Sequence, residues 1–293
     1  MINLISGPII PKLPFLNKRI NVVKSKIIGS LLTYLGIPIF SYFGMGLGKE
    51  EDVINYLSQY LPSYKIIGGS CIDDSKYLRN YQFFNDAIKT NSIVALGISF
   101  DLHVTIDGVT GLKKINKKFS ITKMCYDNRI INEINNKPAK YCFLRLLDVP
   151  EALFREAEAF YYKTTLYFPI TFEQNEKRLS GAAGFFGNNI VLGYKAEGNR
   201  ATILSATGKE VLNSTDKIFS KISRGLFVLA LLSSIRVDLL CNQLFKVKEK
   251  ADGRFNNNPY IIVFPTCENL KSNEKEKPII TIYSVDVCSV IGD

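Results

Sequence analysis

The sequence predicts an α+β protein: mixed sheets built from two related α/β halves, with an antiparallel region between them. Three observations carry this expectation. Residues 49–61, KEEDVINYLSQYL, place Val53, Ile54, Leu57, Tyr60 and Leu61 on one helical face, ahead of Pro62 and a short apolar run at 65–67. Residues 93–107 alternate, with Leu96, Ile98, Phe100, Leu102, Val104 and Ile106 on one side and polar or small residues on the other. Between 165 and 204 short apolar runs are punctuated by Gly181, Gly184, Gly187, Gly193 and Gly198.

Taken in chain order, PIIPKLPF at 8–15 carries three prolines and reads as extended chain. The uncharged stretch 27–48 has the length of a membrane span. Its glycines and Pro38 argue against one, and IPIFSYFG at 37–44 reads as a core strand; contact with a membrane through 27–48 is the alternative. No small-residue cleavage site follows an early apolar run, so no signal peptide is expected. The helix at 49–61 opens on Glu50, Glu51 and Asp52, where the helix dipole favours acids. Residues 37–70 therefore read strand, helix, strand, the pattern of a βαβ unit.

Residues 119–139 read as two strands about a turn at Asp127-Asn128, and 150–162 as a helix with Leu153, Ala157, Phe160 and Tyr161 inward. A second helix is expected from Thr215-Asp216. The apolar run 226–235 is too short for a bilayer and belongs in a core. Strands at 260–264 and 279–287 close the chain, joined by the charged loop 271–277 as a hairpin.

Bulk composition narrows the function. The 293 residues suit one large or two small domains, and 46% hydrophobic with 12% aromatic content excludes general disorder. Lys and Arg total 37 against 27 acids, a formal charge of +10. The basic residues are scattered, densest at Lys113–Lys118 and Lys246–Lys250, which argues for a solvated surface rather than a nucleic-acid stripe. Six widely spaced cysteines form no CxxC pair, so reduced thiols in a cytoplasmic protein are the simplest account. His103 is the single histidine, leaving little for a catalytic triad or an imidazole metal site. GMGLGKEE at 44–51 resembles a glycine-rich turn entering a helix but lacks the Walker spacing, and it stands only as a weak anion site. No catalytic residue, metal or cofactor is expected.

One repetition stands out. KIIGGSCIDD at 65–74 and YIIVFPTCEN at 260–269 both end an apolar run on a small hydroxyl residue, a cysteine and an acid. Ligands settle at strand ends of open α/β sheets, so the repetition points to a pocket lined by Gly68, Gly69, Cys71, Asp73, Cys267 and Glu268.

These residues also resemble the FIST domains, sensory modules found beside F-boxes, histidine kinases and chemoreceptors. The likeness rests on Gly68-Gly69 with Asp73 beyond, and a strand leading to a turn at Gly108 and Gly111. Thr122-Lys123, Asn128, Glu133 and the closing Lys137-Pro138-Ala139 continue it. Further on, YFPIT at 167–171, Arg178 and the terminal IIVFPTCENL…IITIYSV resemble the second FIST segment, with Cys267-Glu268 where the family tends to have Gly-Glu. The resemblance implies three segments: an extension or rebuilt first unit at 1–36, a FIST N-like half at 37–145 and a FIST C-like half at 146–293. It also implies sensing of a small, amino-acid-like ligand and a separate protein signalling partner. Glu268 or Asp73 would take the ligand's ammonium and Arg178 its carboxylate. The alternatives are a non-catalytic interaction or structural protein with a vestigial pocket, or a basic nucleic-acid-associated protein.

Overall fold

The computed structural model describes all residues except 8–11, 14–17, 20–22, 37–48, 74–78, 100, 155–159, 162, 174, 181, 223–225, 256–257, 274–277, 282–284 and 292–293. The fold is α+β and divides into two compact units that interleave along the chain. Unit 1 gathers 1–7, 50–113 and 206–293; unit 2 gathers 8–49 and 114–205. The ends of the sequence thus build one unit and its antiparallel middle builds most of the other. These boundaries cut across the family segments drawn at 36/37 and 145/146.

Among its described residues, unit 1 contains two larger sheets and a two-stranded hairpin of Gln82–Phe84 and Ala87–Lys89. The five-stranded sheet has the order β8-β7-β2-β1-β3, where β1 is Ile2–Ser6, β2 is Ile66–Cys71, β3 is Ile93–Leu96, β7 is Thr266–Lys271 and β8 is Ile279–Thr281. The four-stranded sheet has the order β6-β5-β9-β4, from Tyr260–Val263 (β6), Phe227–Leu232 (β5), Val285–Ile291 (β9) and His103–Val109 (β4). Each sheet holds one parallel pair, β1 with β2 and β5 with β6, and its other neighbours are antiparallel. A parallel pair needs a long crossover; helix α1 (Lys49–Tyr60) lies in the first, and helices α3 (Ser234–Leu240) and α4 (Phe245–Phe255) lie in the second.

Strand β5 shows how the layers form. Val228, Ala230 and Leu232 point to a core shared with Val211, Ile218 and Phe219 of helix α2 (Gly208–Lys221) and with Val247, Ala251 and Phe255 of α4. Phe227, Leu229 and Leu231 point the other way, onto Ile67, Ile106 and Leu270, so the two sheets pack face to face. Helix α1 covers the outer face of the five-stranded sheet. There Ile54 is fully buried, the Ser70 hydroxyl donates to Glu50 Oε1 at 3.3 Å, and Lys271 Nζ donates to the carbonyl of Pro62 at 2.6 Å.

Unit 2 is a nine-stranded sheet. Its path runs 160–161, 182–186, 189–192, 130–134, 113–125, 200–205, 170–172 and 175–180, with 137–138 returning on 130–134. Helix Ala139–Leu146 lays Phe143 on its core, where the ring meets Phe119 and Phe185 edge-on at 6.3 and 5.8 Å. Residues Lys26–Leu31 are helical and continue as a π-helix over Leu32–Gly36; Tyr34 accepts from Asn132 Nδ2 at 3.0 Å, while Ile27, Leu31 and Leu35 are exposed. Among the described residues no helix is long and apolar enough to cross a membrane.

Several sequence expectations need correction. The alternation at 93–107 is two strands in different sheets: β3 ends at Leu96 and β4 begins at His103, and both Leu96 and Ile98, just beyond it, are exposed. Within the helix expected over 150–162, the described residues form a 3-10 turn at Glu151–Leu153 and a short strand at Phe160–Tyr161, while Ala157 lies outside the described residues. Phe154 takes the buried place expected for Leu153, which is exposed. Helix α2 starts well before Thr215, because Thr207 and Glu210 form a capping box. The charged stretch expected as a connection at 271–277 follows β7, whose last residue is Lys271, and β7 pairs with β8, so the closing hairpin begins at Thr266, after β6 has ended. The strand expected at 37–44 lies outside the described residues; the first parallel strand that is described is β1, read in the sequence only as part of an irregular N-terminus.

Candidate functional site

The two repeated segments come together. Strands β2 and β7 are hydrogen-bonded neighbours, antiparallel, with Ser70 opposite Thr266 and Gly68 opposite Asn269. One residue, Gly69, therefore faces two, Cys267 and Glu268, which is a β-bulge. The register brings Gly68, Gly69, Cys71, Cys267 and Glu268 into one patch of backbone. Glu268 has no exposed surface (0%), so its carboxylate is balanced inside the fold. The side chain of Cys267 lies outside the described residues.

Both glycines answer to close packing. A Cβ on Gly68 would lie 2.2 Å from the carbonyl oxygen of Asn3 and 2.5 Å from that residue's side-chain amide. A Cβ on Gly69 would lie 2.6 Å from Cβ of Pro265, the residue linking β6 to β7. Steric crowding alone thus requires a glycine at each position. Asn3 and Pro265 complete this packing, and nothing in their local sequence pattern marks them.

Cys71 is half-buried. Burial pushes its thiol above the ordinary range, and the nearby Gln82 side chain partly counters this. A thiol kept protonated is a poor nucleophile. Asp73 sits past the strand end, where Oδ2 accepts from the backbone N–H of Arg79 at 2.8 Å. Beside it Asn80 Nδ2 donates to the carbonyl of Gly7 at 2.6 Å. Arg178 belongs to unit 2, on strand Asn175–Ser180, and its side chain is not described. The seven expected residues therefore divide between the units. The glycine-rich turn at 44–48 also lies outside the described residues, and among the described residues no cluster of His, Cys, Asp and Glu could hold a metal.

Unit 1 also contains a cavity of about 560 Å3 at the other end of β2. It opens between the two sheets, at the starts of β1, β2, β4 and β5. Ile67, Val104, Ile106 and Leu229 form apolar walls, and Lys65 and His103 are among its polar groups. None of the seven expected residues lines it.

The strand arrangement around Gly68-Gly69 is the region in which the sequence resembles a known sensory family, and the family comparison agrees. Residues 24–137 match the FIST N domain. The match bears out the FIST resemblance over that stretch. It takes in helix α1, both glycines, Cys71 and Asp73, and it stops before Arg178, Cys267 and Glu268. FIST N domains are sensory, ligand-binding modules of signal transduction. No curated protein and no solved structure matches the chain.

Proposed function

We propose that this chain is a ligand-sensing regulatory module acting in signal transduction through a separate protein partner. The observation carrying the reading is the FIST N match over 24–137. The ligand is amino-acid-like and sits where β1 and β2 end, near Cys71, Asp73 and the bulge at Cys267-Glu268. Glu268 or Asp73 takes the ammonium. Because Glu268 is enclosed and Pro265 covers Gly69, a ligand that uses Glu268 has to shift the β6–β7 link. Such a shift would tie occupancy to shape, which is what a sensor needs.

Calorimetric titration of the full chain with the standard amino acids, alongside thermal shift, tests this. The expected result is saturable heat and a raised melting temperature for one or a few of them, both lost in Glu268→Gln. No heat and no shift across the whole panel overturns it.

A second reading, a non-catalytic interaction protein, is favoured by one observation. The hairpin of Gln82–Phe84 and Ala87–Lys89 exposes Phe83, Phe84 and Ile88, at 69%, 56% and 65%. A contiguous exposed apolar patch marks contact surfaces. Size-exclusion chromatography from native extract separates the readings: a persistent large complex lost in Phe83→Ser supports the second.

A further inference from the structure

We propose that the cavity between the sheets of unit 1 is a second binding site, for an amphiphilic anion: a carboxylate on an unbranched apolar tail. It is separate from the strand-end site above, and its ligand differs in chemistry.

The argument starts from Lys65. This residue is half-buried at the entry to β2, and its ammonium donates to the carbonyl of Val104 at 2.5 Å. An ammonium has three N–H donors, and among the described residues Lys65 has no carboxylate partner. A cation beside an apolar wall is poorly solvated, and an anion placed there interacts more strongly than it would in open water. The rim around it adds the hydroxyls of Ser63 and Ser99 and the imidazole of His103. The Met1 ammonium, which donates to the Lys65 carbonyl at 2.6 Å, lines the cavity as well. Ile67 and Ile106 of the inter-sheet core, with Val104, Phe227 and Leu229, give it hydrocarbon walls.

A charged group at one end and hydrocarbon along the rest select an amphiphile and orient it. The volume of about 560 Å3 falls within the size range of small-molecule sites. Among the described residues no aspartate or glutamate lines the cavity, so an amino-acid zwitterion would leave its ammonium unmet. A neutral alcohol of the same length would leave Lys65 unmet.

Isothermal titration of the full chain with decanoate, hexanoate, decanol and leucine tests the assignment. Decanoate is expected to bind saturably, tighter than hexanoate by on the order of a hundredfold from the extra buried methylenes. Decanol and Lys65→Gln with decanoate should each bind at least about tenfold more weakly. Ile98→Glu places a like charge at the exposed rim with little risk to folding, and it should abolish decanoate binding. Glu268→Gln should leave decanoate binding unchanged, so failure here and failure of the amino-acid reading are told apart. Absence of saturable decanoate binding to the wild-type chain overturns the proposal. So does decanol binding as tightly as decanoate, or undiminished binding in Ile98→Glu.

Discussion

Asn3 and Asn269 exchange two side-chain hydrogen bonds, 2.9 and 3.1 Å long, directly over Gly68. The two residues belong to β1 and β7, which flank β2, so the amides span two strand spacings, roughly 9.5 Å. Only a residue without a side chain leaves room between them. Both amides are fully buried. Asn3→Ala or Asn269→Ala strands the other amide and is expected to cost about 1–3 kcal/mol in denaturant unfolding. The double variant should cost less than the two single effects added together, since one interaction is counted twice. Gly68→Ala should destabilise by a similar amount through overpacking.

The cap of α2 gives the protein an acid-sensitive element. Hydrogen bonding to Lys113 is the largest cause holding the Glu210 carboxyl at about 2, against an ordinary 4.5; the backbone N–H and hydroxyl of Thr207 add to it. The folded chain therefore holds this proton more weakly than the unfolded chain. The stabilisation is complete above about pH 4.5 and fades as pH falls towards 2. Asp216, lowered chiefly by its hydrogen bonds to Arg254, changes in the same direction. Melting temperatures measured from pH 5 to pH 2 should fall less steeply in Glu210→Gln than in the wild type. At neutral pH, Thr207→Ala should cost about 1 kcal/mol.

Arg236 ties α3 to its surroundings from a buried position. Its guanidinium donates to the carbonyls of Val109 at 3.4 Å and Val211 at 3.1 Å, and also to the Thr110 carbonyl and the Ser214 hydroxyl. The same Ser214 stands under Gly111, whose φ of +69° and lack of a Cβ let the chain turn there. Arg236→Met keeps much of the volume but removes every donor, and a loss of about 3 kcal/mol or more is expected on equilibrium unfolding. Arg236→Lys should recover only part of it, because an ammonium cannot reproduce the fork.

Thiol chemistry should separate the cysteines. At pH 8, peptide mapping after brief iodoacetamide treatment is expected to show Cys241, which is exposed, modified well ahead of Cys71, whose thiol burial keeps protonated. Gln82→Leu removes the group that opposes this shift and should slow Cys71 further.

Helix α1 is legible because its apolar period, its acids and Pro62 agree. The neighbouring of β2 and β7 was suggested by their shared ending, although the bulge depends on a register that no single strand encodes. Asn3 is a different case. One asparagine in MINLIS carries no sign of a partner 266 positions away. The break between β3 and β4 is hidden by an alternation that continues through residues belonging to neither sheet. The start of α2 is written as Thr207-Gly208-Lys209-Glu210, a capping pattern ahead of Val211-Leu212 and eight residues before the Thr215-Asp216 signal. Lys65 could not be recognised as a cavity cation, since its role depends on the opposing sheet.

The position of β9 in its sheet bears on how the chain is made. Strand Val285–Ile291 lies between β4 and β5, so until that segment has left the ribosome β4 lacks its neighbour in this sheet and β5 is paired on the β6 side alone. Until then the nascent chain carries two open backbone edges, each suited to recruiting a foreign strand. A premature stop before Val285 would leave them open permanently and favour aggregation of the product.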